Sequence, residues 1–200
     1  MSRAKLVTHT LSSICVFCGS SIGTEPSYSE AARKLGEAIV RSNLQLVYGA
    51  GNLGLMGLLA DTVLSAGGTV VGVIPKFLTR KEVAHTGLTT LHLVETMHER
   101  KALMTSLSDA FVAMPGGIGT LEEFFEVWTW IQLGLLEKPL GLLNTDGFFG
   151  PLLQFVDSLV ERGFIKAAHR NLLVVETSPI ELLSRLGESK LPDVEKWIDR

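Results

Sequence analysis

Two hundred residues, 46% of them apolar and 20% charged, describe a globular chain with room for one sizeable core. A net charge of −3 with no long basic run argues against a large nucleic-acid footprint. The apolar stretches are broken by Gly, Pro or charge well before the ~18 residues that a membrane span needs, so no membrane partner is expected.

Residues 1–13 carry Arg3 and Lys5 but neither an apolar h-region nor a small-residue cleavage site, and read as a flexible tail on a cytoplasmic protein. Strand-like and helix-like runs then alternate to residue 187, and residues 188–200 form a polar tail. Ile14 to Phe17 is an apolar strand ending in the turn Cys18-Gly19-Ser20-Ser21. Ser27 to Glu30 has capping-box spacing and opens a helix to about Ser42. Leu44 to Tyr48 is a strand, Gly49 to Gly54 a turn, and Leu55 to Ala66 a helix. Thr69 to Ile74 is a strand closed by Pro75, Phe77 to Gly87 an exposed loop, and Leu88 to Val94 a further strand. A helix from Glu95 to Leu107 holds His98-Glu99-Arg100-Lys101, and Asp109 to Met114 is a strand. The last elements are a helix-like run from Phe124 to Leu133, a strand at Leu140 to Leu143, a helix from Phe149 to Glu161, a strand at Leu172 to Val175 and a helix from Pro179 to Leu186.

Strands that are apolar throughout and separated by helices predict an α/β fold: a Rossmann-like, doubly wound parallel sheet with helices on both faces, as a single domain over 14–187. Ligands of such sheets bind beyond the carboxyl ends of the strands. That rule sets Gly19-Ser20, Gly49 to Gly54, the loop after Pro75 and Gly116 to Thr120 along one rim.

The two cysteines, Cys15 and Cys18, form C-x-x-C inside a strand, where positions three apart face opposite ways; they read as buried thiols rather than a redox pair. Histidines 9, 85, 92, 98 and 169 show no metal-ligand spacing, so no metal is expected. Gly49 to Gly54 matches G-x-G-x-x-G, yet the following strand ends in Pro75 and lacks the acid that holds a dinucleotide ribose. A backbone cradle for a single phosphate survives that loss. No nucleophile elbow or Walker lysine is present.

The densest signal is Met114-Pro115-Gly116-Gly117-Ile118-Gly119-Thr120-Leu121-Glu122-Glu123, three glycines at a strand-to-helix turn. Backbone N–H groups converge there at the positive end of a helix, where an anion is favoured. Thr120 and Glu123 admit two readings, a capping box or a substrate-facing pair. Glu122 points about 100° from Glu123 on a helix, so one of the two faces the site. Arg100 is either part of a solvated face or a fork for phosphate or carboxylate. Trp128, Trp130 and Ile131 read as buried, in the core or at a homodimer contact.

Taken together, Pro115 to Glu123 resembles the PGGxGTxxE signature of the LONELY GUY (LOG) family, cytokinin riboside 5′-monophosphate phosphoribohydrolases long mislabelled as lysine decarboxylases. Cys18-Gly19-Ser20-Ser21, the loop Gly49 to Gly57, with Ala50 and Asn52 as variations, and Met97-His98-Glu99-Arg100-Lys101 match the family's other marks in order. The resemblance runs from about Ile14 to Leu186. It implies a homodimer that hydrolyses the N-glycosidic bond of a nucleoside 5′-monophosphate, AMP or N6-prenylated AMP, without a cofactor. It also implies Arg100 and Glu123 as the catalytic pair. Substrate contacts implied by position are Glu82, Arg100, Lys101, Gly117, Ile118, Gly119, Thr120, Leu121, Glu122, Glu123 and Thr129, beside the rim residues Gly19, Ser20, Gly51, Gly54 and Gly116. The alternative of the same architecture is a nucleotide or molybdenum-cofactor carrier without turnover.

Overall fold

A computed structural model describes residues 11–79 and 84–189. Its strands are β1 (Ser13–Phe17), β2 (Gln45–Tyr48), β3 (Val70–Pro75), β4 (Thr90–Val94), β5 (Ala110–Ala113), β6 (Leu140–Leu143) and β7 (Leu173–Glu176). All neighbours pair in parallel, in the order β4-β3-β2-β1-β5-β6-β7. The helices are α1 (Pro26–Arg41), α2 (Gly54–Ser65), α3 (Met97–Ser106), α4 (Ile118–Gln132), α5 (Gly150–Glu161), α6 (Ala167–Arg170) and α7 (Pro179–Glu188).

The period of two along a strand sorts the core into two layers. Ile14 and Val16 of β1 pack with α1, α2 and α7, whereas Cys15 and Phe17 pack with Met104 of α3, Phe124 and Trp128 of α4, and Val156 of α5. This is the doubly wound arrangement that continuous apolar strands imply. Trp128 and Ile131 belong to the second layer, and the Trp128 indole N–H donates to the His169 carbonyl at 3.2 Å.

Some local readings need correction. Helix α1 opens on Pro26 after Glu25, with no side-chain cap, because proline's fixed φ and missing N–H suit the first helical position; the Ser27 capping box is not used. A side-chain cap forms instead at α3, where Thr96 accepts the Glu99 N–H at 3.1 Å and Glu99 accepts the N–H of Glu95, the residue before the cap, at 2.8 Å. Helix α4 begins inside the glycine motif, at Ile118. Strand β4 is an edge and leaves Leu91 and Leu93 exposed, so not every strand is covered on both faces. The 3₁₀ turn Thr145–Gly147 and helix α6 are too short to carry a periodic signal. Among the described residues no helix is long and apolar enough to cross a membrane.

The start of β1 is tied to β5 by one carboxylate. Asp109 Oδ2 accepts the backbone N–H of Ser12 and of Ser13 and both hydroxyls, at 2.6–3.0 Å. Burial alone would raise this carboxyl, but the four hydrogen bonds outweigh it and hold it below the ordinary aspartate value. A lowered folded-state pKa means stability that is complete above the unfolded value, about 3.9, and lost as pH falls through the folded value. Asp109→Asn should therefore lower the melting temperature at pH 7, and the gap to the native chain should shrink as unfolding is followed down from pH 5 to pH 2.

Chain direction fixes where a ligand can sit. From β1 the chain winds outward through β2, β3 and β4, then α3 carries it back to β5 on the other side of β1. The turns after β1 and β5 thus part company at the carboxyl edge, which is the switch point where open α/β sheets bind ligands. They touch at their base, where the Gly19 N–H donates to the Pro115 carbonyl at 3.1 Å.

Candidate active site

The turn after β5 delivers the anion cradle. Gly117 is the N-cap of α4, and the first intrahelical bond runs from the Leu121 N–H to the Gly117 carbonyl at 3.1 Å. By α-helical geometry the N–H groups of Ile118, Gly119 and Thr120 have no partner within the helix and point off its positive end. Gly117, Ile118 and Gly119 are exposed there, while Thr120 is buried. Gly116 permits this packing, since a Cβ on it would lie 2.1 Å from Thr120 Oγ1 and 2.9 Å from the Gly19 nitrogen.

This helix start bears on the capping-box reading of Thr120 and Glu123. The N-cap is Gly117, three residues before Thr120, so the Thr-x-x-Glu spacing does not begin at the cap. Glu123 instead turns inward: its side chain is 13% exposed and its carboxylate stands 3.6 Å from Arg100 Nη2. Arg100, one turn into α3, is 6% exposed, with Nε buried and unpartnered among the described residues. A buried guanidinium with donors to spare is disposed to take a substrate oxygen. His98 and Glu99 beside it are exposed, so the basic cluster divides into one inward cation and an outer face.

Glu122 takes the other direction. It accepts from Lys101 Nζ at 2.7 Å, and Glu126 accepts from the same ammonium at 2.9 Å. Burial pulls the Lys101 pKa down, but these two carboxylates outweigh it and hold the group above its ordinary value. The cluster joins α3 to α4 from positions far apart in sequence, and no local pattern could have announced it. Glu123 did leave a signal. It stands four residues before the buried Val127, on the flank of the apolar stripe Phe124, Val127, Trp128 and Ile131.

The turn after β2 forms the seat under Arg100. A Cβ on Gly49 would lie 1.9 Å from Arg100 Nη2 and 3.0 Å from Met56 Cε. Gly49→Ala should therefore fold, because the clashing atoms are ends of flexible side chains, yet displace the guanidinium from Glu123. A loss of about tenfold to 10²-fold in kcat/KM, with a melting temperature within a few degrees of native, is the expected outcome in turnover and thermal-unfolding assays. Gly51 is buried against Met56 and bridged to Ala84, and Gly54, with φ of 63°, meets the Ser20 carbonyl, where a Cβ would lie 2.2 Å from its carbon. Both glycines bring loops together. Ser20 is exposed on the rim, and a cavity of about 250 Å³ opens beside it between Gly23, Tyr28, Leu55, Gly116 and Phe148.

One sequence-expected contact, Thr129, lies away from the Arg100–Glu123 pair. Thr129 is exposed, donates to the Phe125 carbonyl at 2.7 Å, and lies on the helix face of Glu122. Glu82 falls outside the described residues. Cys15 and Cys18 are buried free thiols, both pushed up, first by burial and then by the charge of Glu123 beyond the end of β1. That leaves them poor nucleophiles. Among the described residues no group of three or more His, Cys, Asp or Glu could hold a metal ion.

Comparison with known proteins supplies the kinship. A family model described as "Possible lysine decarboxylase" matches residues 56–186. A probable cytokinin riboside 5′-monophosphate phosphoribohydrolase of Oryza sativa subsp. japonica is 46% identical over 197 residues, covering 98% of this chain and 80% of that protein. The cytokinin riboside 5′-monophosphate phosphoribohydrolase of Rhodococcoides fascians is 52% identical over 167 residues, covering 83% of this chain and 84% of that one. The chain belongs to the LONELY GUY family. Within this LOG-family chain the family model takes in α3 and α4, hence Arg100 and Glu123, and begins after the turns of β1 and β2, which the longer rice alignment includes. The molybdenum cofactor carrier protein of Chlamydomonas reinhardtii has the same fold, with a TM-score of 0.66 at 22% identity over 88% of this chain and 97% of that one. At that identity the likeness speaks for the fold alone.

Proposed function

We propose that this protein hydrolyses the N-glycosidic bond of N6-modified adenosine 5′-monophosphates, and of AMP itself, releasing free base and ribose 5-phosphate. The observation that carries this reading is the buried Arg100–Glu123 pair beneath the open start of α4. The family relatives, named for this reaction on cytokinin riboside 5′-monophosphates, support it.

In this reading the 5′-phosphate lies on the N–H groups of Ile118, Gly119 and Thr120, with Gly116 and Gly117 giving the backbone close approach. The ribose is thereby fixed against Glu123. As the bond from C1′ to the purine nitrogen stretches, positive charge grows on the ribose, and the carboxylate stabilises it. Glu123 also orients the attacking water. Its oxygen bonds to C1′, the purine nitrogen departs with the bonding pair, and the proton lost by water balances the one gained by the base. Arg100 holds Glu123 in place and offers its spare donors to a substrate oxygen. Lys101, locked by Glu122 and Glu126, contributes positive potential rather than a free donor. A second copy of the chain completes a homodimer, and the cytoplasm is the working compartment.

The test is incubation with AMP and with N6-isopentenyladenosine monophosphate, each beside its dephosphorylated nucleoside, with released base followed by HPLC. Release from the monophosphates and not the nucleosides is expected. Tight binding of the monophosphates with no base released would make the protein a carrier instead.

A further inference from the structure

Ala50 occupies the left-handed region, with φ of 61°, although its methyl group is fully buried. Such a backbone is unfavourable for any residue with a Cβ and persists only where its surroundings hold it. Two contacts do so. The methyl sits over Gly72 of β3, where a Cβ would come 2.7 Å from it, and the Ala50 carbonyl accepts the His85 N–H at 3.0 Å. The next residue, Gly51, bridges Ala84.

His85 is itself fastened. It is 7% exposed. Its Nδ1 accepts the Gly87 N–H at 3.0 Å, and its Nε2 lies 2.9 Å from Asp61 Oδ1 on α2. A ring nitrogen that accepts carries no proton, so Nε2 carries it and donates to Asp61. One tautomer and one ring orientation result. On the other side of Ala50 stands Gly49, the seat of the Arg100 guanidinium. A continuous path runs from Asp61 through His85 and Ala50 to Gly49, Arg100 and Glu123.

We infer that His85, clamped between Asp61 and Gly87, is a positioning residue for the hydrolysis: it holds the strained turn at Ala50, and so the seat on which Arg100 meets Glu123. The inference rests on the functional reading above and adds to it a residue that belongs neither to the cradle nor to the Arg100–Glu123 pair. It also explains why alanine serves at a left-handed position: the clamp supplies what glycine would supply by its own freedom.

The experiment combines His85→Ala with Ala50→Gly. In the base-release assay His85→Ala should lower kcat about 10–100-fold and change KM for the monophosphate less than about threefold, because a shifted turn misplaces Arg100 without removing the phosphate cradle. Adding Ala50→Gly, which needs no clamp to keep φ positive, should return kcat to within about threefold of native. His85→Asn, which keeps an acceptor for the Gly87 N–H, should lie between native and His85→Ala, and stands in for it if the alanine variant fails to fold. A folded variant with native kcat overturns the proposal, as does a loss that Ala50→Gly leaves unrelieved. Urea unfolding of the four chains of the His85/Ala50 cycle judges the clamp apart from catalysis. The fall in midpoint caused by His85→Ala should be smaller in the Ala50→Gly background, and equal falls overturn the clamp. A native chain that releases no base sinks the functional reading, and the urea cycle still decides the clamp.

Discussion

Glu123→Gln should lose about 10²- to 10⁴-fold in kcat, the range for removing a positioned acid–base group, while the chain stays folded. The amide is isosteric with the carboxylate and can still accept from Arg100, so packing at this 13%-exposed side chain is retained. What vanishes is the negative charge facing the anomeric carbon. KM for the monophosphate should change little, because the phosphate is held by N–H groups of α4. Initial rates of base release at several substrate concentrations, with a thermal melt of the same sample, separate the outcomes. Were Glu123 a helix cap, its loss would cost about 0.5–2 kcal/mol of stability and leave turnover intact. With Gly117 at the cap position, that outcome is not expected.

Arg100→Ala should also remove base release, with a different signature in stability. The Arg100 side chain is 7% exposed and stands against a Glu123 side chain of 13% exposure. Removing one partner of a buried pair typically costs about 3–5 kcal/mol, because the other charge is left without compensation. A typical domain is stable by about 5–15 kcal/mol, so the fold should survive with a clearly lowered melting temperature. Arg100→Met, which keeps most of the stem volume, should melt higher than the alanine variant and be equally inactive. The double variant Arg100→Met with Glu123→Gln should recover stability without activity, since no buried charge then lacks a partner. Retained turnover in Arg100→Met would remove Arg100 from the chemistry.

These two effects differ from that of Gly49→Ala, which leaves both charged groups in the chain and alters only the seat between them. Activity lost without stability in Gly49→Ala, against both lost in Arg100→Ala, would locate the function in the geometry of the pair as well as in its charges.

The winding of the chain was legible in the order of its elements. Apolar strands separated by helices have few ways to bury their faces, and the parallel, doubly wound sheet is the one with covered strands and short right-handed crossovers. The rim was legible for the same reason, since the carboxyl ends of β1, β2 and β5 carry the glycine turns. The dinucleotide reading of Gly49 to Gly54 was weakened from sequence by Pro75 at the end of β3. Family membership was legible because several short motifs occur in a fixed order along one chain.

Apart from the Arg100–Glu123 pair that the family resemblance implies, the partners of the charged side chains were not legible. Glu122 and Glu123 are adjacent and identical, and only the placement of α4 against α3 sends one to Lys101 and the other to Arg100. By local sequence Arg100 is either part of a solvated face or a fork for an anion, until α3 turns it toward the turn of β2, where a single hydrogen on Gly49 leaves it room. His85 and Asp61, 24 residues apart, meet because His85 lies against the turn of β2 and the side of α2 that carries Asp61. Local sequence encodes periodicity, turns and caps, which depend on neighbours a few residues away. Pairing of charges across elements depends on how rigid helices dock on the sheet, and that is decided by the packing of the whole core.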